Sequence, residues 1–196
     1  MKPDILIPTN KPEGKLWRQI SAIRKTAPGC RIMPSCFSVS AATNRNWTLY
    51  HAGPVVVMVD DDIGGFFPGW AEKLCAPLND PNVVMVSARL MKPDGTPGAM
   101  MDIAPDLSQE IVVVKQRMVP SACIAFHNDG THYDETYAGA GFEDTDHCRQ
   151  LGEKYPDGVW VIHNGVRLIH KNEMKGQGDY RFQQNREYYL RKWGIK

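Results

Sequence analysis

At 196 residues, with 42% hydrophobic and 23% charged side chains, the chain has the make-up of an ordinary globular domain and is long enough to bury a good core. No apolar run approaches bilayer length and the first ten residues carry no cleavage-site pattern, so neither a membrane span nor a secretory leader is expected and the cytoplasm is the default. The net charge of +1 is unevenly spread: residues 166–196 hold eight Lys/Arg against three Asp/Glu, so that end is +5 and the remainder −4.

A basic end on an acidic body points to an anionic ligand or to a solvated helix. The five cysteines are odd in number and form no C-x-x-C pair, which favours buried thiols over disulfides or a zinc site.

In chain order, Asp4–Pro8 (DILIP) reads as a short apolar strand. Asn10 with Glu13 makes a capping-box arrangement, with Pro12 in the first turn. Leu16, Ile20 and Ile23 then share one helical face, and Pro28-Gly29 ends the helix. Cys30–Phe37 is a strand, placed at an edge by Pro34. A second helix runs from about Ser40 to His51, and Gly53-Pro54 returns the chain to the sheet at Val55.

Val55–Asp62, VVVMVDDD, is the informative stretch. Five apolar residues running into three carboxylates predict a buried parallel strand that delivers acids to its carboxyl end, where ligands bind in open α/β sheets. Three adjacent acids repel one another, and the D-x-D spacing of Asp60 and Asp62 suits a shared divalent cation.

Beyond them come a helix around Trp70–Leu78 and a strand at Val83–Ala88. Lys92–Asp106 is a long irregular loop of the kind that is usually functional. Ile111–Met118 and Ser121–His127 read as strands, Asp144–Lys154 as a helix, Val159–Ile162 and Val166–His170 as two short strands, and Arg181–Trp193 as a terminal helix. Strand–helix alternation followed by a mixed half predicts a three-layer α/β domain.

A second chemical signal is Tyr133–Leu151, YDETYAGAGFEDTDHCRQL. Asp134-Glu135 and Glu143-Asp144 flank a glycine-rich turn ahead of a helix, and an acid held in a cleft there is a candidate general base.

Together DILIPTNKPE, AATNRNWTLYHAGPVVVMVDDDI, the YDE…GFEDTDHCRQL block and VRLIHKNE resemble the GT-A-type glycosyltransferases, the large family using nucleotide-diphosphate sugars. The resemblance implies a three-layer α/β/α sandwich with a mostly parallel mixed sheet, as one minimal domain over 1–196 with a basic helical tail at about 180–196. It implies a metal-dependent transferase acting, by inversion, on an acceptor hydroxyl.

Residue by residue, it assigns Pro8, Thr9, Asn44, Asp60 and Asp61 to the nucleotide side of the donor. Asp62, His170 and Asp60 fall to a divalent cation, Mn²⁺ or Mg²⁺, and Asp144 to the catalytic base. A UDP-sugar is the first donor; Arg31–Ser38 lacks the acid that often reads the base, so guanosine and thymidine donors stay open. Lys171, Lys175 and Arg181 are placed to cover the diphosphate. The acceptor is open among glycan, lipid, protein and modified nucleic acid, and Phe182, Tyr188 and Tyr189 either stack on bases or pack on the core. The alternatives are a sugar nucleotidyltransferase and a nucleotide-sugar-binding module without catalysis.

Overall fold

The computed structural model describes residues 2–10, 13–36, 40–171 and 180–195. Pro12, expected in the first turn of the first helix, and the proposed phosphate contact Lys175 lie outside them. The chain alternates from the start: β1 (Asp4–Pro8), α1 (Glu13–Thr26), β2 (Ile32–Ser35), α2 (Ala41–His51) and β3 (Val55–Val59). β4 (Ile63–Gly64) and α3 (Trp70–Cys75) follow, then β5 (Val83–Met91), β6 (Ile111–Val114), β7 (Cys123–His127), α4 (Glu143–Lys154), β8 (Val159–His170) and α5 (Tyr180–Lys192).

The strand order is β2-β1-β3-β7-β5-β8-β4, with β6 also paired to β8. β2, β1, β3, β5 and β8 all run one way; β7 runs against both its neighbours, β3 and β5, and β4 and β6 run against β8. The sheet is therefore mixed and mostly parallel in direction. Ile5–Ile7 and Val56–Val59 are fully buried, as strands covered on both faces must be. Burying each such side chain is worth about 1.5–3 kcal/mol.

Right-handed crossovers put α1 and α2 on opposite faces, because β1→β2 and β2→β3 step in opposite directions along the sheet. α1 meets the start of α3, where the Gly69 N–H bonds the Thr26 carbonyl, while α2 packs on β1 and β2 and touches α4. Three layers result. Pro34 sits on β2, the edge strand, in register with Ile7.

Two expectations are corrected. Val159–Ile162 and Val166–His170 are one twelve-residue strand, β8, rather than two. Its pairing with β5 jumps between Ala88 and Arg89, and Asn164 occupies the irregularity. The Asn164 side chain accepts from Arg89 at 2.7 Å and donates to the Asp106 and Gln109 carbonyls, so side-chain bonds replace the ladder where the strand bulges. The Ile111–Met118 strand stops at Val114, and Arg117 beyond it sits at φ 51°. Among the described residues no helix is long and apolar enough to cross a membrane.

Candidate active site

The cleft lies beyond the carboxyl ends of β1 and β3. Pro8, Thr9, Asn44, Asp60, Asp61 and Asp62 line it, with Arg45 and Glu143. A turn follows β3, closed by the Ile63 N–H on the Asp60 carbonyl. Gln19, reaching over from α1, donates to the carbonyls of Asp60 at 2.7 Å and Ile63 at 3.3 Å and so fixes that turn. The Thr9 hydroxyl donates to the Asp61 carboxylate, and the Asn44 amide donates to the Thr9 carbonyl at 3.0 Å. Thr9 and Asn44 are therefore tied to the end of β1 and to the acidic turn at once.

The antiparallel pairing of β4 with β8 sets Ile63 opposite His170. That register carries the imidazole to the acids: His170 Nε2 stands 3.3 Å from Asp62 Oδ1. Asp60, Asp62 and His170 each offer one ligand atom, all within 4.8 Å of one another. Two carboxylates and an imidazole form a mixed O/N set suited to a first-row divalent ion such as Mn²⁺.

Opposite the acids stands Arg45, 4% exposed, on α2. It donates to Glu143 at 3.0 Å and to Asp60 at 3.3 Å, and its guanidinium lies 5.2 Å from the Tyr133 ring centre. Burial raises the Asp60 carboxyl to about 6; Arg45 opposes the rise and Asp62 adds to it. Although 31% of the Asp60 side chain faces the open cleft, the dense protein around it explains that direction. Burial likewise raises Glu143 to about 7, reinforced by Asp144 and opposed by Arg45.

Glu143 has its acceptors occupied, by Arg45 on one oxygen and by the Gly141 N–H on the other, and is 3% exposed. Asp144, the next residue on α4, is half-buried and accepts from the Ser121 hydroxyl and the Thr145 N–H. The side chain on the cleft is thus Glu143, while Asp144 stands at its margin against the loop before β7.

The acids of the YDE block do something else. Glu135 accepts from Thr43 and Asn46 of α2, and Asp134 accepts from Tyr188 and Lys192 of α5. Asp146, fully buried, accepts from Tyr137, Trp193 and Lys192. These carboxylates bind α2, α4 and α5 to one another. The α5 aromatics pack: Phe182 and Tyr189 lie 5.1 and 5.5 Å from the Phe142 ring. Of the cations placed near the diphosphate, Arg181 lies against Gly139 and Lys171 against Gly64, both beside the cleft.

Sequence reading missed Arg45, Gln19 and Ser121. The signal for Arg45 was present: α2 buries Asn44, Arg45, Asn46 and Thr48, a polar run in a helix with little apolar periodicity.

No family model and no curated protein matches the sequence. Solved structures do. GalNAc-T7 with UDP, GalNAc and Mn²⁺ superposes with a TM-score of 0.70 at 11% identity, over 96% of this chain and 47% of that one. Glucosyl-3-phosphoglycerate synthase from Mycobacterium tuberculosis with Mg²⁺ and UDP gives 0.64 at 14% identity, over 98% and 79%. The chain has the GT-A fold. The mannosyltransferase PcManGT from Pyrobaculum calidifontis, with GDP-Man and Mn²⁺, gives 0.65 at 13%, over 99% of this chain and 66% of that one. The chain spans about half the length of GalNAc-T7 and two-thirds to four-fifths of the other two. Within this GT-A frame, β3 and the second half of β8 are the strands that bring the acids and His170 together.

Proposed function

We propose that the chain is a metal-dependent glycosyltransferase, moving a sugar from a nucleotide-diphosphate donor to an acceptor hydroxyl with inversion. The observation that carries this is the convergence of Asp60, Asp62 and His170, from opposite halves of the sequence, within 4.8 Å at the carboxyl ends of the strands. The solved neighbours support it, being complexes with UDP or GDP-Man and with Mg²⁺ or Mn²⁺. A UDP-sugar remains the first donor to test and GDP-mannose the second.

A divalent cation in this site supplies Lewis-acid neutralisation of the diphosphate leaving group. The protein's own groups do the rest. Asp60, Asp62 and His170 would hold the ion, with Arg45 bonded to one Asp60 oxygen. Pro8, Thr9 and Asn44 shape the nucleotide end, with Asp61 fixed by Thr9. Asp144 takes the acceptor's proton as the hydroxyl attacks C1; its hydrogen bond from Ser121 orients the carboxylate. Glu143 is unsuited to that role because it is buried and ion-paired with Arg45.

The test is thermal shift with UDP- and GDP-sugars, with and without Mn²⁺, on the parent and on Asp62→Ala. A ligand at 100 times its Kd adds about 2.7 kcal/mol to the folded state. The parent is expected to gain stability only with both components, and the variant to lose that gain while keeping its own unfolding transition. Equal donor binding by the variant in Mn²⁺ refutes the metal assignment. Release of nucleoside diphosphate on incubation then separates an enzyme from a pure binder.

A further inference from the structure

A second cavity, of about 460 Å³, opens between α4 and the loop ahead of β7; Arg117, Met118, Thr145, Cys148, Arg149 and Tyr189 are among its walls. Thr145 lines the cavity and its hydroxyl lies 3.5 Å from an Asp144 oxygen, while Glu143, the residue before Asp144, lines the cleft. Ser121, which bonds Asp144, follows the loop that walls the cavity.

Two observations mark this cavity as built for an anion. Arg117 holds φ 51°, a left-handed backbone that costs a non-glycine residue on the order of 1–3 kcal/mol and that gathers at functional sites. Neither arginine has a carboxylate partner among the described residues: Arg117 donates to the Pro156 carbonyl, and Arg149 lies 4.6 Å from the Trp193 ring centre. Each guanidinium carries five N–H donors in a planar fork that matches phosphate, so most of that capacity is left over. The only acid in the lining is Glu153, which is exposed.

Building on the glycosyltransferase reading, we propose that this cavity is the acceptor subsite and takes a small polyhydroxylated molecule bearing a phosphate group. The phosphate sits on Arg117 and Arg149, and a hydroxyl of the same molecule reaches Asp144. The volume lies within the range of small-molecule sites and holds a triose or hexose phosphate rather than a polymer. In the transfer, the acceptor oxygen bonds to C1 of the donor sugar as its proton passes to Asp144. The bond from C1 to the diphosphate oxygen breaks, and the nucleoside diphosphate leaves with that electron pair. Met118, Cys148 and Tyr189 give the carbon skeleton an apolar wall.

The experiment titrates metal-free protein with inorganic phosphate, glycerol 3-phosphate and glucose 6-phosphate, with glycerol, glucose and a twelve-nucleotide DNA strand as controls. Binding is followed by thermal shift in the parent, Arg117→Met, Arg149→Met, the double variant and Glu153→Gln. The phosphorylated small molecules are expected to stabilise the parent while glycerol and glucose do not. Each arginine change should weaken them by roughly tenfold or more, the worth of one charged hydrogen bond, and Glu153→Gln should tighten them. Far-ultraviolet circular dichroism confirms that the arginine variants fold.

Phosphate binding that is insensitive to both arginines overturns the proposal, as does DNA binding tighter than the sugar phosphates. Donor binding with Mn²⁺, measured in parallel, keeps the two readings apart. Its absence in the parent would sink the glycosyltransferase reading itself. Its presence, unchanged in the double variant but without arginine-dependent phosphate binding, sinks the acceptor subsite alone.

Discussion

Arg45→Met tests the reasoning about the site most directly. The side chain is buried, and it is the cation between Glu143 and Asp60. Removing one partner of a buried ion pair costs about 3–5 kcal/mol, because the remaining charge is left uncompensated. Here that charge can escape by taking a proton, so the loss depends on pH. Glu143 stands at about 7 in the folded protein against an ordinary 4.5, and without Arg45 it rises further.

A carboxyl raised by folding lowers stability as pH climbs above its unfolded value. Below about pH 6 the folded parent and variant both hold Glu143 protonated and differ little; above pH 7 only the variant keeps the proton, and the gap opens. Urea denaturation followed by tryptophan fluorescence at pH 5.5 and 8.5 reads this difference. The expected loss is about 3–5 kcal/mol at pH 8.5 and a minor part of that at pH 5.5. Arg45→Met/Glu143→Leu should recover most of the loss, since a packed apolar pair replaces buried ions at little cost. Mn²⁺ affinity should still fall, since Asp60 has lost its support. A variant equally destabilised at both pH values would refute the role of Arg45 as the counter-charge to Glu143.

Three further outcomes are expected. His170→Ala should lose Mn²⁺ affinity more than Mg²⁺ affinity, because imidazole suits the transition ion; isothermal titration with each metal checks this, and equal small losses would return His170 to a structural role. Asp144→Asn should keep donor affinity and lower turnover by roughly 10²–10⁴, read as nucleoside diphosphate release, whereas retention of more than about a tenth of parental turnover rules it out as base. His147, stacked 4.1 Å from Tyr133, is lowered from 6.5 to about 4 chiefly by burial. Its contribution is complete above pH 6.5 and drains away as pH falls toward 4, by up to about 3 kcal/mol, so His147→Phe should flatten the acid limb of stability measured by urea melts across that range.

What the sequence revealed follows from the range of each interaction. β3 was legible because a fully apolar run ending in acids has few other uses, and α1 because its apolar residues repeat at helical spacing. The pairing of Asp60 with Asp62 followed from their spacing, whereas the place of His170 beside them was reached only through resemblance. It depends on an antiparallel register between β4 and β8 that no local pattern encodes. Asp134 and Glu135 looked like site carboxylates because paired acids beside a glycine turn carry the same local signature whether they face a cleft or a neighbouring helix. Only the placement of α2 and α5 decides between them. β8 read as two strands because Asn164 and Gly165 mimic a turn, and the bonds from Asn164 to Arg89 and to the preceding loop are what keep the strand continuous.

β8 also sets a schedule for synthesis. Among the described residues β5 takes its long parallel partner only from β8, and β4 and β6 pair with no other strand. Until residues 159–170 have left the ribosome, these edges stand open while β1, β2, β3 and β7 already have their partners. Open strand edges awaiting distant, parallel pairing fold slowly and invite aggregation. His170 is the last residue of that strand, so the emerging chain completes the described sheet and brings His170 to Asp60 and Asp62 in the same event. A chain halted before that point would expose its edges and lack His170 together, leaving both the sheet and the candidate metal site incomplete.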